Sequence, residues 1–463
     1  MIRLFRHYIP VSLLLLGLLE FSLMLGAVYL GVNLRFGGES VKDLSAGLLA
    51  SKAAVYAAVM MLMLFAMGLY QRGLRDTLKD ICLRLVAAFV MGVVTMMLLF
   101  YVFPNLFIGR GAFALSVLAS FGVLVVLRTA AFRLVDHNLL SERVLVVGTD
   151  KAANQLAMLR RKSDWRGVTL VGFYHVRGDH DEVDPSKILP RDSNLLDLVK
   201  EYAVDELVVA IPDSRKNFPL EEILACKMAG VRVTELADFF ERRTGQLQLD
   251  ITSANKMIYL DGFSQSPVAA AFKRVFDLMV SLVMLLLTLP IMAVTAFAIW
   301  VESGFSGPIF YSQRRVGQSG KCFNVYKFRS MVIDAERDGA QWARKNDDRI
   351  TRVGRFIRKT RIDELPQLYN VWRGDMSFVG PRPERPEFVE RLEDGISYYA
   401  LRHRVKPGIT GWAQICYPYG DSEADAKAKL QYDLYYIKNY SLFLDFTILF
   451  QTAQVVLWNK GAR

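Results

Sequence analysis

Cysteine and histidine are scarce in this chain, with four cysteines and five histidines among 463 residues. Cys82, Cys226, Cys322 and Cys416 form neither a CxxC pair nor a metal-ligand cluster with the histidines. That spacing excludes a disulfide scaffold and a zinc site and leaves ordinary reduced thiols. No small-residue cleavage site follows the apolar run after Arg3 and Arg6, so that run is expected to be a retained anchor, not a removed signal peptide. Charge is missing from several long stretches. Hydrophobic residues make up 52% of the chain, and the mean hydropathy is positive, which is high for a soluble protein. The formal charge of +11 suits anionic partners. With this apolar content, phosphorylated substrates and the anionic cytoplasmic leaflet are expected, and nucleic acid is not.

A spanning helix needs about 20 mostly apolar residues, and four candidates precede residue 130, at about 9–31, 47–70, 84–106 and 111–128. The first encloses Glu20 and the second begins near Lys52, so the spacing predicts that Glu20 faces another helix, with Lys52 as its partner. Arg3, Arg6, Arg72, Arg75, Lys79, Arg128 and Arg133 fall on one side of these spans, and Arg35, Lys42 and Arg110 on the other. Positive residues stay inside, which predicts the N-terminus and everything after residue 130 in the cytoplasm. A fifth apolar run, Leu278 to Val301, holds Pro290 at its centre, with Lys273 and Arg274 before it and Arg314, Arg315 and Lys321 after it. Basic residues at both ends and a helix-breaking proline between them predict a re-entrant hairpin over about 278–301, broken at Leu289-Pro290. An ordinary fifth span is the alternative.

From Glu142 the pattern turns into buried strands alternating with helices: RVLVVGTD, NQLAMLRRK, VTLVGFYHV, NLLDLVKEYA, DELVVAIP, LEEILACKMAG and VRVTELADFF. This implies a doubly wound, Rossmann-like parallel sheet over about 142–255. Its first turn, Gly148-Thr149-Asp150-Lys151, has one glycine where the GxGxxG fingerprint needs close backbone approach to a pyrophosphate. A structural or regulatory module is therefore expected. The chain thus divides into a transmembrane region at about 1–135, the α/β domain, and a third, mostly helical domain at about 270–463.

Residues 310–420 concentrate arginine, carboxylate, proline and glycine. Arg314, Arg315, Lys321, Lys327 and Arg329 alternate with apolar and aromatic residues in a strand-like pattern, as either a phosphate-binding surface or a basic face for anionic lipid. Next, Val353, Phe356 and Ile357 share one face of a helix that carries Arg352, Arg355 and Lys359 on another, with Arg358 and Arg361 following the same run. Such a helix can lie in the membrane interface. It leads into Asp363-Glu364-Leu365-Pro366, where Asp363 stands at an N-cap position and Pro366 in the first helical turn. A capped helix is one reading. Beside so many cations, a carboxylate can also hold Mg²⁺ against a pyrophosphate, with Asp363 and Glu364 as ligands, or attack phosphorus. Pro381 and Pro383 stiffen the loop that presents Arg382 to a phosphate. Arg402, His403, Arg404 and Lys406, followed by Gly408 and Gly411, supply a basic, glycine-shaped approach to an anion. The apolar tail Ser441–Trp458 is interrupted by Asp445 and Gln451 and is expected to lie on or partly within the interface, with Tyr432, Asp433, Tyr435 and Tyr436 just before it as interfacial anchors or, as the alternative, part of a substrate pocket.

From Lys273 to about Asn459 these stretches resemble the catalytic domain of the bacterial sugar transferase family, the monotopic polyprenyl-phosphate phosphoglycosyl transferases. The matching segments are KRVFD, the proline-broken apolar run, FYSQRRVGQSGKCFNVYKFRSM, RKTRIDELPQLYNVWRGDMSFVGPRPE and VKPGITGWAQ. The preceding spans and α/β domain resemble the large members that act in exopolysaccharide and O-antigen pathways. The resemblance implies transfer of a sugar 1-phosphate from a UDP-sugar to undecaprenyl phosphate, with release of UMP. It implies that Asp363 attacks the sugar-linked phosphate, that Glu364 assists through the metal site or proton handling, that Arg382 binds phosphate, and that Mg²⁺ neutralises the diphosphate. At Leu289 the chain departs from the family, which often has serine before this proline. A non-catalytic scaffold for polysaccharide assembly and a glycosyltransferase that moves sugar without its phosphate remain as alternatives. The spans and the α/β domain offer surfaces for a homodimer.

Overall fold

The computed structural model describes residues 2–4, 7–9, 11–43, 46–70, 78–136, 141–157, 167–190, 193–211, 218–252, 257, 263, 266–333, 349–417 and 422–458. They fall into two units, Met1–Arg3 with Tyr8–Ser253 and Leu4–His7 with Ala254–Arg463. In the first unit the charge-poor runs become the helices Val11–Asp43, Ala46–Ala66, Leu78–Val102 and Arg110–Asp136. Each is long and apolar enough to cross a membrane, as is Pro267–Glu302 in the second unit. A helix suits such a run because it satisfies every backbone polar group internally. Gly31 lets the first and fourth helices approach closely, since a Cβ there would stand 2.3 Å from Ser116 Oγ.

Glu20 is fully buried, but its partner is not Lys52. Arg128 binds both of its oxygens at 2.7 Å, and Tyr70 adds a hydrogen bond. Lys52 instead donates to the Phe107 carbonyl at 2.8 Å. Arg128 also donates to the Leu69 carbonyl, in the turn that follows the second helix and leads to Tyr70. Arg6, Arg72 and Arg75, used above for the orientation, lie outside the described residues.

The α/β sheet has the strand order Val168–Tyr174, Glu142–Val147, Glu206–Val209, Arg232–Glu235, with every neighbour parallel. Its two apolar faces are covered by Leu195, Leu198, Ile223 and Cys226 on one side and by Leu156, Leu236, Phe239 and Phe240 on the other. The turn after the first strand is already occupied. The Thr149 amide donates to Asp179, its hydroxyl donates to Asp181 at 2.8 Å, and a Cβ on Gly148 would meet Ile211 at 2.7 Å.

In the second unit, Ser266 caps the helix Pro267–Glu302 and Pro267 occupies its first turn. The helix continues through Pro290. Both of its ends meet the same body of chain. Near its start, Arg274 donates to the carbonyls of Val371 and Trp372, and Asp277 accepts from Ser377 Oγ and the Phe378 amide. Near its end, Ile299 packs with Phe328 and Ile357, and Glu302 accepts from the Val353 amide. Between these ends Met279, Leu282, Leu286, Leu287, Leu289 and Val294 are exposed.

Around this helix lie the antiparallel hairpin Phe310–Val316 with Cys322–Phe328 and the short parallel pair Ser377–Val379 with Gly408–Thr410. Helix Arg352–Lys359 is capped by Thr351, and its Gly354 touches Ser330 so closely that a Cβ would lie 2.0 Å from the carbonyl oxygen. The expected apolar face of this helix divides: Val353 and Ile357 pack inward, while Phe356 stays 63% exposed.

The tail is the helix Leu442–Trp458. Asp445, which interrupts its apolar pattern, is buried and paired with Lys273 at 2.8 Å and Tyr436 at 2.8 Å. Tyr432, Tyr435 and Tyr436 are buried as well, which corrects their expected place as interfacial anchors. Helix Glu423–Lys438 turns them inward, and Trp412 stacks on Tyr435. Aromatic rings with polar tips suit both settings, so composition alone does not separate them.

Candidate active site

The carboxylate pair sits on a tight turn, Ile362–Glu364, that follows the arginine-rich helix. Arg361 takes a left-handed conformation (φ 59°) to reverse the chain there, which turns both carboxylates inward. Asp363 and Glu364 are each only 9% exposed. Asp363 is not a helix cap, as one reading of the sequence had it. The next helix, Gln367–Arg373, has Pro366 at its N-cap position, and the turn consumes the intervening residues. The Asp363 side chain is thereby released from a local structural role.

Cations converge on Glu364. Its Oε1 atom accepts from Arg382 at 2.9 Å and Lys327 at 3.2 Å, with Arg361 at 3.7 Å. Asp363 differs, for its Oδ1 atom is buried without a hydrogen-bond partner. Burial alone would raise the Glu364 pKa, yet Arg382, Lys327 and Arg361 hold it well below the usual carboxylate range. Burial and the adjacent Glu364 charge push Asp363 up to about 6, against the pull of Lys327, Arg361 and Arg358. Glu364 is thus firmly ionised, and Asp363 keeps one oxygen unspent. Burial also lowers the pKa of Lys327, while Glu364 supports its charge.

The residues expected to bind phosphate separate into groups. Lys327, Arg358, Arg361 and Arg382 surround the carboxylate pair. Arg315 shares a strand face with Lys327, because Lys327 pairs with Tyr311 across the hairpin and side chains alternate. It donates to the Pro383 carbonyl at 3.2 Å and pairs with Glu384 at 3.4 Å. Arg314 points to the opposite face and is exposed. The Arg329 guanidinium lies against Gly307, where a Cβ would come within 2.2 Å of Nη1. Lys406 lies with Arg274 beside Gly374, near the start of the long helix.

Pro381 and Pro383 flank Arg382 as expected, and Gly408 and Gly411 shape the same region by close backbone contact. A Cβ on Gly408 would stand 2.1 Å from the Gly380 nitrogen, and one on Gly411 would stand 2.2 Å from the Gly380 oxygen. The Gly408 amide donates to the Pro381 carbonyl at 2.9 Å, so it builds the loop and is not open to an anion.

Three buried groups hold this arrangement, Asn370 and Asp277 without an expected role and Arg402 in place of the anion contact expected of its basic run. Asn370 accepts from the Tyr326 amide and donates to the Asn324 carbonyl, joining hairpin to helix. Asp277 fixes the start of the Ser377–Val379 strand. Arg402, 7% exposed, bonds Tyr399, Asp433 and the Arg382 carbonyl.

The model of the bacterial sugar transferase family matches residues 268–459, and that of a CoA-binding domain matches residues 65–220. The chain is 34% identical over 337 residues to the UDP-glucose:undecaprenyl-phosphate glucose-1-phosphate transferase of Klebsiella pneumoniae, covering 72% of this chain and 70% of that protein. It is 33% identical over 330 residues to the Escherichia coli K12 protein of the same description, covering 70% and 69%. A UDP-N-acetylgalactosamine-undecaprenyl-phosphate N-acetylgalactosaminephosphotransferase of Aeromonas hydrophila is 42% identical over 260 residues, covering 56% of this chain and 60% of that protein.

Proposed function

The chain belongs to the bacterial sugar transferase family, and we propose that it transfers a sugar 1-phosphate from a UDP-sugar to undecaprenyl phosphate, the initiating step of an exopolysaccharide or O-antigen. The observation that carries this reading is the buried, partnerless Oδ1 of Asp363 beside a Glu364 that already holds its cations. In this mechanism an ionised Asp363 oxygen attacks the sugar-linked phosphorus. The bond from that phosphorus to the bridging oxygen breaks, UMP departs with the electron pair, and a phosphosugar is left on Asp363. An oxygen of undecaprenyl phosphate then attacks the same phosphorus and restores the carboxylate. Arg382, Lys327 and Arg361 neutralise charge that gathers on the phosphoryl oxygens in both steps, and their existing bonds to Glu364 keep them oriented. Glu364, pinned by three cations, orients them and is not a proton carrier.

The residues suit Mg²⁺. No group of three or more His, Cys, Asp or Glu side chains that could hold a metal occurs among the described residues. Mg²⁺ is commonly held by one or two carboxylates together with substrate phosphates, and the orphaned oxygen of Asp363, with Glu364 adjacent, fits that pattern. When bound, the ion would neutralise the diphosphate.

We also infer that the long apolar helix re-enters the membrane on one side. Residues 274–299 would span about 38 Å as a straight helix, yet both ends bind one domain, which supports a bend at Pro290. The α/β and catalytic domains then lie on the cytoplasmic face. For the α/β domain the occupied turn at Thr149 favours a structural or regulatory role.

The test is nucleotide release by the full-length protein in lipid nanodiscs, given undecaprenyl phosphate, Mg²⁺ and a panel of UDP-sugars. The expected product is UMP from one sugar, with none from Asp363→Ala. UDP in place of UMP would contradict the reading.

A further inference from the structure

The loop that carries Arg382 has no regular secondary structure from Pro381 to Arg385, and its two prolines have no N–H with which to brace it. It is held instead by its carbonyls, four in succession, each accepting from a different neighbour. The Gly408 amide donates to Pro381, Arg402 Nη2 to Arg382, Arg315 Nη1 to Pro383, and the Val316 amide to Glu384. The bond to Arg382 itself comes from a side chain, and that side chain is deeply fixed. Arg402 donates to Tyr399 Oη at 2.7 Å, to Asp433 at 2.9 Å and to the Arg382 carbonyl at 2.9 Å. Asp433 is itself 2% exposed. At the other end of the same residue, the Arg382 guanidinium is 31% exposed and reaches Glu364.

We propose that Arg402 is a positioning residue for phosphoryl transfer, which holds the Arg382 backbone so that the Arg382 guanidinium meets the donor phosphate. The inference rests on the function proposed above. Arg402 does not touch the substrate in this account, since it is buried and engaged with Tyr399, Asp433 and the loop. Its effect passes through Arg382 alone. A displacement of about 1 Å at a charge-stabilising group can cost about 100-fold in rate, and removal of the Arg402 bond permits a shift of that order. A residue needed only for general packing would reduce activity whether or not Arg382 were present.

That difference gives the test. UMP release is measured in single turnover without undecaprenyl phosphate, using full-length protein in nanodiscs and the UDP-sugar that the wild type cleaves from a panel including UDP-glucose and UDP-N-acetylgalactosamine. Four proteins are compared: wild type, Arg402→Gln, Arg382→Ala and the double variant. Arg402→Gln is expected to lower the rate about 100-fold in the wild-type background and less than about 2-fold in the Arg382→Ala background. Equal factors in the two backgrounds would overturn the proposal. Should Arg402→Gln fail to fold, Tyr399→Phe removes only the partner of Nη1. It is expected to slow release several-fold with Arg382 present and not at all without it, and an equal loss in both would again overturn the proposal. Absence of UMP from the wild type with every donor would remove the parent reading and this proposal with it. UMP release with additive losses would remove the positioning role alone.

Discussion

Two turns in this molecule invite an anionic ligand, and they treat it differently. In the α/β domain the turn at Gly148 and Thr149 stands where a doubly wound fold commonly binds phosphate, but Asp179 and Asp181 of the same domain accept its donors. In the second unit Glu364 takes a comparable part, holding Arg382, Lys327 and Arg361, while the adjacent Asp363 keeps an oxygen without a hydrogen-bond partner. The first turn is closed by its own carboxylates. The second has its cations arranged and one carboxylate oxygen unspent. A carboxylate near an anion site can therefore mean closure or readiness, and the neighbouring hydrogen bonds decide which.

The comparison is broken most sharply at Asp363. Asp363→Ala is expected to reduce UMP release at least about 1,000-fold with little loss of folding, as measured by single-turnover kinetics and thermal unfolding. Glu364→Gln should lower the rate about 100-fold, and it should also lower the unfolding temperature, because Arg382 and Lys327 lose the partner that offsets their desolvation. Gly354→Ala acts on the frame. Its Cβ would lie 2.0 Å from the Ser330 oxygen, so a loss of about 1–3 kcal/mol in stability is expected from denaturant unfolding. By contrast, replacing both Asp179 and Asp181 with Asn should change UMP release by less than about 2-fold, since those groups close a turn in another domain.

The smallest effect concerns pH. Burial, with the Arg402 charge beside it, holds the His403 imidazole down to about 4 from its ordinary 6.5. The folded protein then binds this proton less readily than the unfolded chain. The contribution is fully present above about pH 6.5 and is lost as pH falls toward 4. His403→Gln should therefore flatten the fall in unfolding temperature between those values, a change readable by differential scanning fluorimetry.

Much of this was legible in residue patterns. Uninterrupted apolar length marked the helices, because a chain in lipid has few other ways to satisfy its backbone, and the β-branched runs at 143–147 and 206–209 marked buried parallel strands. The acidic pair and Arg382 stood out by type and spacing. What stayed hidden depended on contacts between distant segments. Glu20 and Arg128 are 108 residues apart, and no periodicity ranks Arg128 above Lys52 as a partner. Arg402 lay within a basic run whose other members looked alike, and only the fold turns it toward Asp433. Asp445 did leave a trace, a charge inside an apolar helix, and the burial of that charge beside Lys273 is what the trace meant.

The central claim is that Asp363 becomes the carrier of the phosphosugar. The most direct measurement uses donor labelled with ³²P at the sugar-linked phosphate, mixed with full-length protein and Mg²⁺ in the absence of undecaprenyl phosphate, followed by an acid quench and peptide mapping. The account predicts unlabelled UMP in solution and label on the peptide containing Asp363, with neither from Asp363→Ala. Labelled UDP in solution, with no label on the protein, would contradict it.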